Sequence, residues 1–119
     1  MKTDDDGAVF NATGERLNLP GDYSSFVFDS NFTILLWVRP NTIPDATFLP
    51  VMEKVNNDQT ISIAISVNNT SYKFDIDFPN YTKSITSSAS TAVNVTWQSI
   101  IVTSERGSTN LIFYMYIDG

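Results

Sequence analysis

Asp75 and Asp77 stand two residues apart in a run where acidic and polar residues alternate with Tyr72, Phe74 and Ile76. On an extended strand that spacing puts both carboxylates on one face, about 6.5–7 Å apart at the backbone. A carboxylate pair at such a distance can attack and protonate a glycosidic bond, with Ser71 and Lys73 lining the same groove. Carboxylates are also hard oxygen ligands, so Asp75, Asp77 and Asp118 are candidate ligands for Ca²⁺. Asp4-Asp5-Asp6-Gly7 lacks the spacing and closing Glu of an EF-hand loop. With no His and no Cys, the chain excludes imidazole and thiol catalysis, Ser–His–Asp triads and ordinary zinc or haem ligation. A net charge of -6 argues against nucleic acid as a partner, because phosphate contacts need a basic face.

The aromatic residues offer a second kind of site. Tyr72, Tyr81, Tyr114, Tyr116, Trp37 and Trp97 include candidates for a platform on which apolar sugar faces stack. Tyr81, beside Pro79 and Asn80, reads as the exposed member and is the candidate ligand-binding residue.

Asparagine carries the third signal. Six Asn-x-Ser/Thr acceptor sequences begin at Asn11, Asn31, Asn68, Asn69, Asn80 and Asn94, where chance gives about 2.4 for this composition. The excess points to a glycoprotein of a secretory pathway, extracellular or at a cell surface. Asn31 opens an apolar run and is the least accessible by this reading; Asn68 or Asn69 is the most. The first residues, Met1 to Asp6, have no apolar stretch behind Lys2 and do not read as a signal peptide. They read as an acidic disordered tail, with a single domain over residues 7–119. The longest apolar runs, Ile34–Val38 and Leu111–Ile117, are far short of a membrane span.

Strands must position all of these groups, because period-2 patterning dominates the chain and no helical stripe emerges. Ile61, Ile63, Ile65 and Val67 alternate with Thr60, Ser62, Ala64 and Ser66; after Asn68-Asn69 the alternation resumes with Tyr72, Phe74 and Ile76. This predicts a hairpin turning on the two asparagines. Residues 31–39 form a strand apolar on both faces, ended by Pro40, and residues 97–103 and 111–117 form a second hairpin. Shorter strands are expected at 8–10, 16–19 and 51–55, with the Ser/Thr-rich stretch 84–91 as loop or exposed edge. The sum is an all-β, antiparallel, two-sheet sandwich.

Four landmarks in order resemble the laminin G-like, or concanavalin A-like, jelly-roll domain. They are Gly7-Ala8-Val9-Phe10 with Glu15-Arg16-Leu17-Asn18-Leu19; Asn31 to Pro40 with its Trp37-Val38-Arg39-Pro40 ending; Trp97 to Thr103; and Tyr116-Ile117-Asp118-Gly119. The His that usually follows the Trp of the later strand is replaced by Gln98. The resemblance implies a non-catalytic recognition or adhesion module binding glycans, extracellular proteins or Ca²⁺, or else an architectural domain in a surface or fibre assembly. It places Trp37 and Trp97 in the core. Hydrolases of the same fold use a Glu-x-Asp-x-x-Glu motif, which Glu15, Glu53 and Glu105 cannot supply. Finally, Leu111–Ile117 is apolar or aromatic on both faces and uncharged, which belongs in a sheet interior. The fold is therefore expected to lack its C-terminal strands, completed by a longer chain or by a neighbouring chain.

Overall fold

A computed structural model of the chain describes residues 2–4, 7–9, 31–40, 47–55, 62–78, 81–88, 92, 96–108 and 110–118. Among the described residues there are nine strands and no helix: β1 (Lys2–Asp4), β2 (Gly7–Val9), β3 (Phe32–Val38), β4 (Leu49–Val55), β5 (Ser62–Val67), β6 (Tyr72–Phe78), β7 (Tyr81–Thr86), β8 (Gln98–Arg106) and β9 (Leu111–Ile117). All pairings are antiparallel. β1 and β2 form a ribbon, β3-β8-β9 a three-stranded sheet and β4-β5-β6-β7 a four-stranded sheet. In the ribbon Lys2 pairs with Val9 and Asp4 with Gly7. The strand expected at 16–19 lies outside the described residues.

The core follows the period-2 pattern. Ile63, Ile65 and Val67 of β5 and Tyr72, Phe74 and Ile76 of β6 face inward and are buried, Val67 at 7% exposure and the rest at none. Against them lie Ile100 and Val102 of β8 and Phe113 of β9, with Phe32, Ile34, Leu36 and Val38 of β3 half-buried around them. Each buried aliphatic or aromatic side chain contributes roughly 1.5–3 kcal/mol relative to exposure. A ladder of rings joins the sheets: Phe74 lies 5.7 Å from Phe113, which lies 6.1 Å from Phe32, all tilted.

Turns are set by short polar groups. The β5–β6 hairpin turns on Asn68-Asn69-Thr70-Ser71 rather than on two residues. The Asn68 Oδ1 accepts the N–H of Thr70 at 3.0 Å and of Ser71 at 2.8 Å, while the Asn68 N–H donates to the Ser71 carbonyl at 3.0 Å. The side chain stands in for a backbone carbonyl, as asparagine does in Asx turns. At the β8–β9 turn, the Gly107 N–H donates to the Asn110 carbonyl at 2.8 Å, and a Cβ on Gly107 would fall 2.6 Å from Asn110 Oδ1. A side chain at this position would push the Asn110 amide aside. The stretch expected to be loop or edge from residue 84 begins earlier, at Tyr81, as the edge strand β7.

Two tryptophans overturn an expectation. Trp37 is 63% exposed and Trp97 41% exposed, so neither is a core residue. The reason is parity. Phe32, Ile34, Leu36 and Val38 point inward on β3, which sends Leu35 and Trp37 outward. A strand apolar on both faces does not reveal which face is the inner one.

Candidate functional site

The outward parity of three strands brings the exposed apolar groups together. Register places Leu35 of β3 opposite Ile101 of β8, itself opposite Tyr116 of β9. One row over, Thr33, Thr103 and Tyr114 align; on the other side Trp37 faces Ser99. Ile112 stands beside Glu105 at the far end. The outcome is one continuous outer face in which Trp37, Leu35, Tyr116, Tyr114 and Ile112 are all at least 40% exposed. Tyr114 and Tyr116 stack with ring centroids 6.5 Å apart and planes 23° from parallel. Two rings held within 23° of parallel offer an apolar surface of the kind that packs against sugar rings or apolar peptide side chains.

A polar chain underneath fixes the end of this face nearest Trp37. Asp118 adopts a left-handed backbone, φ 55°, which aspartate tolerates better than most residues. Its N–H donates to the Ser99 carbonyl at 2.9 Å and its Oδ1 accepts the Ser99 N–H at 2.9 Å. Its Oδ2 accepts Gln98 Nε2 at 3.1 Å, and Gln98 Oε1 accepts the Tyr72 hydroxyl at 2.9 Å. Tyr72 belongs to β6 and Gln98 to β8, so this chain ties one sheet to the other. Burial, and secondarily the negative charge of Asp118, push the Tyr72 phenol up to about 12.

The aspartates singled out from sequence are not gathered. Asp75 and Asp77 lie on the outer face of the four-stranded sheet. Asp75 is bound by Lys73 Nζ at 2.9 Å and by Ser84 Oγ at 2.6 Å, and Asp77 by Thr82 Oγ1 at 2.6 Å. Asp118 is on the other sheet. Among the described residues no three acidic side chains are grouped as a metal ion would need. Ser71, expected beside Lys73 in a groove, is buried at the hairpin instead. The backbone of Tyr81 opens β7 opposite Phe78, and its side chain lies outside the described residues.

The glycosylation candidates also separate. Asn68, with 8% exposure and its amide oxygen occupied, is buried, whereas Asn69 next to it is exposed. Asn31 is exposed and its Oδ1 accepts the Arg106 N–H at 2.7 Å. Asn11, Asn80 and Asn94 lie outside the described residues.

Sequence reasoning named Trp37, Tyr114 and Tyr116 as aromatic candidates but missed the surface they share with Leu35 and Ile112. The available signal was the i, i+2 spacing of Leu35 with Trp37 and of Tyr114 with Tyr116.

A laminin G family model, described as the concanavalin A-like lectin/glucanases superfamily, matches residues 11–119. No curated protein and no solved structure matches the chain.

Proposed function

The chain belongs to the concanavalin A-like lectin/glucanases superfamily as a laminin G-like domain, and from that premise we propose that it is a non-catalytic recognition module acting outside the cell. Its binding surface is the outer face of β3-β8-β9. The observation that supports this reading is the co-location of Trp37, Leu35, Tyr114 and Tyr116, exposed on one rigid sheet face. Exposed aromatic groups collected on a rigid element mark ligand surfaces, because isolated ones are ordinary but contiguous ones are uncommon. The ligand class is a neutral glycan or an apolar protein segment. Asp75 and Asp77 are each held by Lys73, Ser84 or Thr82, an arrangement that supports a solvated structural face over hydrolysis. Among the described residues no helix is long and apolar enough to cross a membrane.

A glycan array, run with Ca²⁺ and with a chelator, tests the reading together with the candidate ligands Asp75, Asp77 and Asp118. Binding is expected in both arms. Trp37→Ala and Tyr116→Ala should each weaken it by about tenfold or more, since base-sized ring stacking is worth roughly 1–3 kcal/mol. Their thermal melts should stay near that of the wild type. If both variants bind like the wild type, this face is not the site.

Passage through a secretory pathway is supported by the six sequons. Asn69 is then the glycan acceptor of the overlapping pair, since its neighbour is locked into the turn. Intact mass before and after endoglycosidase treatment should show one glycan lost in Asn69→Gln. Asn68→Gln should retain it, because Asn69-Thr70-Ser71 remains intact. Protein from its native source with no mass change on treatment would end the secretory reading.

A further inference from the structure

The two sheets treat their edges differently. In the four-stranded sheet, register aligns Lys54, Ile63, Ile76 and Lys83 in one row. The two isoleucines are fully buried, so each edge strand of that sheet turns a lysine toward the core side. β4 adds Pro50 and a register shift between Pro50 and Met52. An inward-pointing charge, a proline and a bulge are the devices that stop an edge from pairing with another strand. The three-stranded sheet has none of them on β9. Its register with β8 runs unbroken from Ile100↔Ile117 to Arg106↔Leu111, and all seven residues are apolar or aromatic. Among the described residues β8 is its only hydrogen-bonded neighbour. β3, at the other edge, carries polar Thr33 and is followed by Arg39 and Pro40, a charge and a residue that cannot extend a ladder.

We infer that β9 pairs with β9 of a second copy of this chain, antiparallel about a two-fold axis through Tyr114. This joins two three-stranded sheets into one of six. The strand is self-complementary in that register. Leu111 meets Ile117 and Phe113 meets Met115 on the inner face; Ile112 meets Tyr116 and Tyr114 meets Tyr114 on the outer face. Inner residues meet inner and outer meet outer, so no side chain changes environment sign. At the ends Asn110 meets Asp118, an amide donor against a carboxylate, and no like charges are opposed. An isologous contact of this kind closes at two copies. Each copy carries a charge of -6, so association strengthens as salt screens the repulsion. The pairing stands apart from the ligand reading, although it would set the Tyr114 and Tyr116 rings of both copies along one seam.

The absence of any cysteine makes the register testable, because one introduced thiol is the only thiol. In Tyr114→Cys the thiol lies on the axis opposite its own copy, with Cβ atoms about 4.5–5.5 Å apart, close to disulfide reach. In Tyr116→Cys the two thiols are offset by four residues, about 13 Å. Mild oxidation of the full chain should convert Tyr114→Cys to covalent dimer and leave Tyr116→Cys and Trp37→Cys monomeric on a denaturing gel. Sedimentation of the wild type should show a monomer–dimer equilibrium that shifts to dimer with salt. Tyr114→Lys, which sets like charges opposite each other at an exposed position, should weaken the dimer at least about tenfold with its melt retained. A wild type monomeric at all concentrations and salts overturns the proposal. So does cross-linking of all three cysteine variants alike, or a dimer indifferent to Tyr114→Lys.

Discussion

Phe74→Ala is expected to lose about 3–5 kcal/mol of folding stability, the cost of deleting a fully buried ring from a packed interior. Phe74 has no solvent exposure and sits at the middle of the ring ladder, 5.7 Å from Phe113 on the opposite sheet. Its neighbours in the same inward row are Ile65 and Ile85, anchored by the ladder hydrogen bonds of β5 and β7. Sheet backbones held on both sides cannot collapse far into the space, so most of the cavity would persist. A domain of this size has about 5–15 kcal/mol in total, so the variant would stand close to unfolding at ambient temperature. Trp37→Ala supplies the contrast. At 63% exposure the indole leaves little cavity, and a change below about 1 kcal/mol is expected. Urea unfolding of the two variants side by side checks both. A Phe74→Ala loss under about 1 kcal/mol would mean that the two sheets do not meet through these rings.

The contrast also shows where pattern in the sequence determines structure and where it does not. β5 and β6 were legible because apolar and polar residues alternate strictly: Ile63, Ile65 and Val67 against Ser62, Ala64 and Ser66. One face could only be inner. β3 and β9 are apolar on both faces, so alternation located the strands without orienting them. The orientation depends on the partner sheet, which is information the strand itself does not hold. The platform of Leu35, Trp37, Tyr114 and Tyr116 was illegible for that reason. Its members come from strands about 80 residues apart, brought within one register by β8 between them. Asp75 and Asp77 share a face legible from their spacing, but their partners Ser84 and Thr82 come from β7, whose Ser/Thr-rich stretch from residue 84 reads as loop or exposed edge. Asn68 and Asn69 look equivalent as a dipeptide; only the turn's hydrogen bonds make one buried and the other free for solvent.

The polar chain between the sheets carries the second large effect. Gln98→Leu is expected to cost about 2–3 kcal/mol, more than the net worth of one neutral hydrogen bond. The asymmetry arises because the partners remain. The Tyr72 hydroxyl, on a fully buried residue, would lose its acceptor at 2.9 Å, and Asp118 Oδ2 would lose its donor at 3.1 Å. Tyr72→Phe removes the hydroxyl along with its need for an acceptor and should cost less, about 1–2 kcal/mol. Combining the two changes should cost less than their sum by about 1 kcal/mol, since the orphaned hydroxyl is then gone. Alkaline unfolding probes the burial of the same phenol from the proton side. The Tyr72 phenol is raised from 10.0 to about 12 in the fold, so the unfolded chain releases this proton first. Its contribution is fully present below about pH 10, then falls as pH rises from about 10 to about 12, for a total on the order of 2–3 kcal/mol. Tyr72→Phe should remove that fall, leaving only what other groups contribute. Urea midpoints for wild type and Tyr72→Phe at about pH 9 and about pH 12 decide it. Parallel losses in the two proteins would show that the Tyr72 phenol is not buried in the core, and the link from β6 through Gln98 to Asp118 would fall with it.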